Sequence, residues 1–203
     1  VFRWEAKYEG ASQEEGQKMD SQFFNGLEHE VECAVGARIL LIHNLAVEHG
    51  LMNGTQGVIK HVLFPTTQGP THPERGQRMP EVIIVDFPQY DGPPFWDRKK
   101  FPERKTWVPL YPSTRKGYIT STKSRTEVTS EVSRTQYPFV LGWALTPWKA
   151  QGMTLDKAVV RIGKSASKPG VAFVALSRVR HPDDLMLDDK FPDMSNFMKQ
   201  RAN

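Results

Sequence analysis

Up to about Tyr137, the apolar runs of this chain are short and turn-forming residues separate them. "VFRWEA" at 1–6 predicts a short strand, followed by a polar segment to about Met19 and a short helix over Ser21–His29. Four further runs carry the β-branched, aromatic and aliphatic residues that suit a pleated, half-buried surface. They are "ARILLIHNL" (37–45), "GTQGVIKHVLF" (54–64), "EVIIVDF" (81–87) and "TWVPLYPS" (106–113). Asn53-Gly54 is a strong turn signal. Loops rich in Pro and Gly, "TTQGPTHPERGQRMP" and "PQYDGPPFWDRKKFPERK", flank the third run. Residues 36–137 therefore predict short strands joined by turns, as in a small barrel.

The pattern changes at Tyr137. "FVLGWAL" is a continuous apolar run, as expected of a strand buried on both faces. Thr146 is then a credible helix N-cap, with Pro147 at the first helical position. "KAVVRIG" predicts a second buried strand, "GVAFVALSRVR" an apolar helix ending in two arginines, and "DLMLD" a third strand. Alternating strands and helices are α/β grammar. "DMSNFMKQRAN" predicts a short terminal helix with Met194, Phe197 and Met198 on its apolar side.

Composition narrows the setting. At 203 residues, with 38% hydrophobic and 25% charged, the chain can bury a core as one domain or two small ones. The single cysteine, Cys33, cannot form an internal disulfide. No apolar run is long enough to span a bilayer, and the start lacks a signal-peptide pattern. A nuclear, cytoplasmic or mitochondrial protein is expected rather than a secreted one, with no membrane partner. The net charge is +4, unevenly spread: residues 1–31 are acid-rich, whereas 98–125 hold nine Lys/Arg and one acid, Glu103. Trp107, Tyr111 and Tyr118 are interleaved there, so Arg98, Lys99 and Lys100 with these rings predict a single-strand surface. A solvated basic loop over core aromatics is the other reading. His61 and His72 lie too far apart, with no Cys or His nearby, to suggest a metal site.

Two features carry candidate phosphate chemistry. Gly163-Lys164-Ser165 matches the end of a P-loop, but the residue five before Gly163 is Ala158, inside a predicted strand. A strand-end turn is expected instead. Arg178 and Arg180 close an apolar helix, where cations suit the C-terminus. An arginine at the rim of an α/β sheet can also stabilise charge on a transferring γ-phosphate.

"WALTPWKAQGMTLDKAVV" followed by "GVAFVALSRVR" resembles the last two motifs of the PIF-type, RecD-like superfamily-1B DNA helicases. Upstream, "VGARILLIHNL" and "GLMNGTQGVI" are similar to that family's approach to its small Src-homology-3-like β-barrel, and "RTQYPFVLGWALT" to the return into the motor, most closely in Helitron-type members. The resemblance implies an α/β fold: part of a RecA-like second motor domain of the P-loop NTPase superfamily, with an inserted barrel. Residues 1–30 would lead in from that motor domain, 31–137 form the barrel and 138–203 complete the motor. It also implies an ATP-dependent 5′-to-3′ DNA helicase with roles in DNA repair or recombination. Arg178 would be the arginine finger, Gln151 and Gly152 would lie at the nucleotide cleft, and Thr154 near the ribose. Thr146, Trp148 and Lys149 would face single-stranded DNA. Trp148 stands where the family has His, and Ala150 where it has Ser. ATP and Mg2+ would require a first motor domain, in the same full-length chain or a partner chain, because no P-loop or Walker-type Asp-Glu pair occurs here. The alternative is a non-catalytic, helicase-derived nucleic-acid-binding or assembly subunit.

Overall fold

Five apolar runs become the strands of one antiparallel sheet. A computed structural model of the chain describes residues 1–10, 13–65, 78–123, 126–147, 150–161 and 170–188. Trp148 and Lys149, Gly163–Ser165, most of the 66–80 loop including His72, Arg125 and the predicted C-terminal helix lie outside the described residues. The chain divides into two compact units, Val1–Trp143 and Ala144–Asn203. Among the described residues, no helix is long and apolar enough to cross a membrane.

In the first unit, β1 (Phe2–Glu5) pairs antiparallel with β3 (Glu30–Cys33). The main sheet is formed by β4 (Arg38–Leu41), β5 (Gln56–Leu63), β6 (Val82–Asp86), β7 (Trp107–Leu110) and β10 (Phe139–Leu141), in the order β10-β4-β5-β6-β7. The register sets apolar residues opposite one another: Phe139 with Leu41, Ile59 with Val85, Ile83 with Leu110. That buried face is closed by Trp4, Tyr137 and Cys33. Burial pushes the Cys33 thiol up to about 12, which leaves it an inert packing group at neutral pH. Gly57 is required by close approach, since a Cβ there would sit 2.6 Å from Val85 Cγ1 and 2.7 Å from the Phe87 ring. Among the described residues no pairing joins β7 to β10, so these strands form an open sheet and not a closed barrel. "FVLGWAL" was expected to be buried on both faces; its strand is instead the edge of the sheet, with Phe139 buried but Leu141 and Trp143 exposed.

Two elements depart from the sequence pattern. The polar stretch before Met19 forms β2 (Lys7–Gly10) and α1 (Gln13–Lys18), with β2 held by pairing to residues 132–135 rather than by its own propensity. The helix expected over Ser21–His29 is one 3₁₀ turn, Ser21–Phe24. Asp20 opens it by accepting from the Gln22 N–H at 2.9 Å, and left-handed Asn25 (φ 53°) and Gly26 (φ 83°) end it. The basic segment 98–125 is not one loop: from Ser113 it enters a long hairpin, β8 (Ser113–Lys123) and β9 (Thr126–Gln136), in a sheet of order β2-β9-β8. Its inner face carries Gly117, Val132 and fully buried Arg134 against Phe24 and Leu27. The Arg134 guanidinium donates to the carbonyls of Leu27, Gly16 and Met19 at 2.8, 2.9 and 2.8 Å. Its cationic carbon lies 4.1 Å from the centre of the Phe24 ring.

Buried His43 joins three parts of this unit. Its Nε2 lies 3.0 Å from the Asn25 carbonyl, and its Nδ1 lies 3.3 Å from Ser113 Oγ and 3.4 Å from Arg115 Nη2. These partners suit a neutral ring that donates from Nε2 and accepts at Nδ1. Burial, and then the Arg115 charge, lower its pKa, while the Asn25 bond opposes them. The unfolded chain therefore binds the proton more readily, so the His43 contribution is complete above the ordinary imidazole range and is lost as pH falls through it. Thermal midpoints at pH 7.5 and pH 5 should differ less for His43→Gln than for the wild type. An equal pH dependence in both would rule out His43 as a source of acid sensitivity.

The second unit holds β11 (Ala158–Val160), α2 (Val171–Leu176) and β12 (Leu185–Leu187). β11 and β12 pair in parallel, as the α/β pattern requires. The helix predicted after Thr146 is seen among the described residues as turns: the Ala150 N–H bonds the Thr146 carbonyl at 3.1 Å, and the Met153 N–H bonds that of Ala150 at 3.1 Å. α2 is shorter than the predicted 170–180, because the chain turns at Ser177 and leaves Arg178 and Arg180 beyond its end.

Candidate nucleotide-facing turn and nucleic-acid surface

In the second unit, the turn after α2 and the segment 150–155 are stitched together by main chain and side chain. The Leu155 N–H donates to the Arg178 carbonyl at 2.8 Å, and Leu155 forms a parallel bridge with Val179. The half-buried Arg178 side chain donates from Nε to the Val174 carbonyl at 2.7 Å, from Nη1 to the Met153 carbonyl at 3.3 Å and from Nη2 to Ser177 Oγ at 2.8 Å. One of these contacts satisfies an end carbonyl of α2. None neutralises the cation, and among the described residues Arg178 forms no ion pair. Met153 lies between Gly152 and Thr154, so Arg178 is brought beside the three residues expected at the nucleotide cleft. Gln151, Gly152 and Thr154 are all exposed. Gly152 adopts φ 80°, a left-handed turn that a side chain would strain. Thr146 opens this segment through its carbonyl, and Ala150 is buried.

The second predicted surface, Arg98–Lys100, lies on the first unit. All three side chains are exposed on a turn that Asp97 organises. Asp97 Oδ1 accepts from the Lys99 N–H at 2.9 Å, and its carbonyl accepts from the Phe101 N–H at 2.8 Å. The indole N–H of Trp96 donates to the Trp107 carbonyl at 3.2 Å and pins the two ends of the loop together. Between them, the Arg104 guanidinium lies 5.3 Å from the Trp96 ring centre, 4.2 Å from Phe101 and 5.0 Å from Trp107. Trp107 is also approached by Lys60 at 5.7 Å, and Asp86 holds that ammonium at 3.1 Å. The rings of Tyr111 and Tyr118 remain exposed. Sequence reasoning missed the holding role of Trp96 and Arg104 and the exposed Lys105 beside them. A tryptophan at each end of a Pro-rich basic loop was the available signal.

Residues 22–62, from the 3₁₀ turn through most of β5, match the family model described as DNA helicase Pif1, 2B domain. The chain is 35% identical over 162 residues to the ATP-dependent DNA helicase PIF6 of Trypanosoma brucei brucei, covering 79% of this chain and 16% of that protein. It is 29% identical over 162 residues to human ATP-dependent DNA helicase PIF1, covering 80% of this chain and 20% of that protein. The chain thus spans a fifth or less of these relatives. Its fold matches the crystal structure of a Bacteroides Pif1 helicase in complex with ADP-AlF3 and ssDNA, with a TM-score of 0.61 and 20% identity over 100% of this chain and 39% of that one. It also matches Pif1 helicase from Candida albicans, with a TM-score of 0.59 and 23% identity over 98% of this chain and 43% of that one. An α/β helicase fold, the matched 2B segment and similarity along most of the chain agree: the chain belongs to the PIF1-type helicases and corresponds to their C-terminal region.

Proposed function

We propose that this chain is the C-terminal motor half of an ATP-dependent 5′-to-3′ DNA helicase. Residues 1–30 lead in from the second motor domain, 31–137 serve as a Src-homology-3-like insertion that guides DNA, and 138–203 complete the RecA-like half. The observation that carries the reading is the bond from Arg178 to the Met153 carbonyl, which supports Arg178 as a cation for a γ-phosphate beside Gln151, Gly152 and Thr154. Among the described residues no His/Cys/Asp/Glu group could hold a metal, and the sequence has no P-loop. The residues therefore fit a supplied cation rather than a complete nucleotide site. ATP and Mg2+ belong to a first motor domain that this chain would face, while Thr146, Trp148 and Lys149 contact the single strand. A non-catalytic nucleic-acid-binding or assembly role is the second reading. It is favoured by buried Ala150, which removes the family's hydroxyl, and by Trp148 in place of His.

Fluorescence anisotropy with a labelled single-stranded oligonucleotide across a salt series tests the nucleic-acid assignment. Salt-sensitive binding, weakened by Trp148→Ala and by Lys149→Gln, is expected. Absence of binding even at low salt would remove the DNA surface and leave the assembly reading.

A further inference from the structure

The 96–107 loop shows how such a surface would take its ligand. Trp96, Phe101 and Trp107 all face the Arg104 guanidinium, and Lys60 adds a second cation near Trp107. Phe95 leans on Tyr90 with ring centres 6.1 Å apart. The three rings of the loop itself are thus engaged in fixing it, which the Trp96–Trp107 bond also closes, whereas the exposed rings of Phe95, Tyr111 and Tyr118 lie outside residues 96–107. The loop's two acids near the cations are occupied as well: Asp97 caps the turn, and Glu103 pairs with Arg104 at 3.3 Å. Arg98, Lys99, Lys100 and Lys105 are exposed and, among the described residues, form no ion pair. Four free cations on a rigid turn offer charge without base contacts, and phosphate contacts carry no sequence information.

We infer that this loop is a phosphate-backbone clamp that grips duplex and single-stranded nucleic acid alike and reads neither sequence nor strand number. The inference rests on the nucleic-acid reading above and names the mode of recognition at this surface. Guanidinium and ammonium groups bind phosphate oxygens with release of condensed counterions, so each contact adds to the salt dependence.

The test uses the whole chain and a triple variant, Arg98→Gln, Lys99→Gln and Lys100→Gln, binding labelled duplex and single strands of two base compositions across a salt series. Loss of three phosphate contacts should reduce the slope of log K against log salt by about 2.7 for duplex and about 2.1 for single strands, independent of composition. Lys105→Gln alone should reduce it by about 0.7–0.9. All the substituted side chains are exposed, so thermal midpoints should match the wild type. Unchanged slopes with a wild type that binds would overturn the clamp and leave the helicase reading standing. A loss confined to single strands, or one that depends on composition, would show base stacking and also overturn it. A wild type that binds neither form would remove both the clamp and the nucleic-acid reading.

Discussion

Joined to a P-loop-bearing first motor domain, the Arg178→Ala variant is expected to hydrolyse ATP about 10³-fold or more slowly than the wild type under DNA stimulation. A guanidinium at the transferring γ-phosphate is worth that much because the transition state concentrates charge on oxygens that only nearby cations can stabilise. The difficulty is that Arg178 also has a structural role here, since it holds the Val174 and Met153 carbonyls. Losing those bonds should cost about 1–2 kcal/mol of local stability. Such a loss leaves a folded protein and cannot account for three orders of magnitude. Two measurements separate the roles. Nucleotide affinity should change little if the cation acts chiefly in the transition state, so the loss should fall on kcat. Arg178→Lys should restore part of the capping but little of the rate, because an ammonium lacks the planar fork. Near-normal kcat in Arg178→Ala would end the arginine-finger assignment, and loss of the folded state would show capping to be its main role.

How far the sequence disclosed this arrangement depended on where the burial information lay. Strands β4 to β7 were legible because their apolar residues are contiguous in sequence and face one core. The parallel pair β11 and β12 was legible from contiguous apolar residues alone, but the buried strand expected at "KAVVRIG" is not buried: Val159, Met186 and Leu187 are exposed. Hairpin β8–β9 was not, since its buried face carries Gly117, Val132 and Arg134, a set with no apolar alternation. β2 is set by pairing with β9 across more than a hundred residues, which no local window contains. Arg178, Gln151, Gly152 and Thr154 were named from motif resemblance, and the structure places Arg178 next to the turn that holds the others. Its bonds to Val174 and Met153 could not be read, because they depend on α2 ending at Leu176 rather than running on through Arg180. Of the rings visible in sequence near Arg98–Lys100, Trp107 is engaged by Arg104 and Lys60, which could not be read, whereas Tyr111 and Tyr118 stay exposed.

Arg134→Ala should destabilise the unit Val1–Trp143 by about 3–5 kcal/mol, read as a lower urea midpoint. Three main-chain carbonyls, of Gly16, Met19 and Leu27, lose their Arg134 donor together. The opposing effect is real: burial pushes the Arg134 pKa down, which reports the cost of desolvating its charge. Three short bonds and contact with the Phe24 and Tyr8 rings offset that cost, whereas an alanine leaves the Met19 and Leu27 carbonyls without this donor and a cavity beside Phe24. Arg134→Met fills the cavity and isolates the hydrogen-bond part, so it should fall between wild type and Ala. Hydrogen exchange should rise first over residues 13–27, since that segment is what the guanidinium anchors. If Arg134→Met is as stable as the wild type within about 1 kcal/mol, burial of the cation cancels its bonds. The arginine would then fix where the 13–27 segment sits without stabilising it, and faster exchange there at unchanged global stability would be the sign.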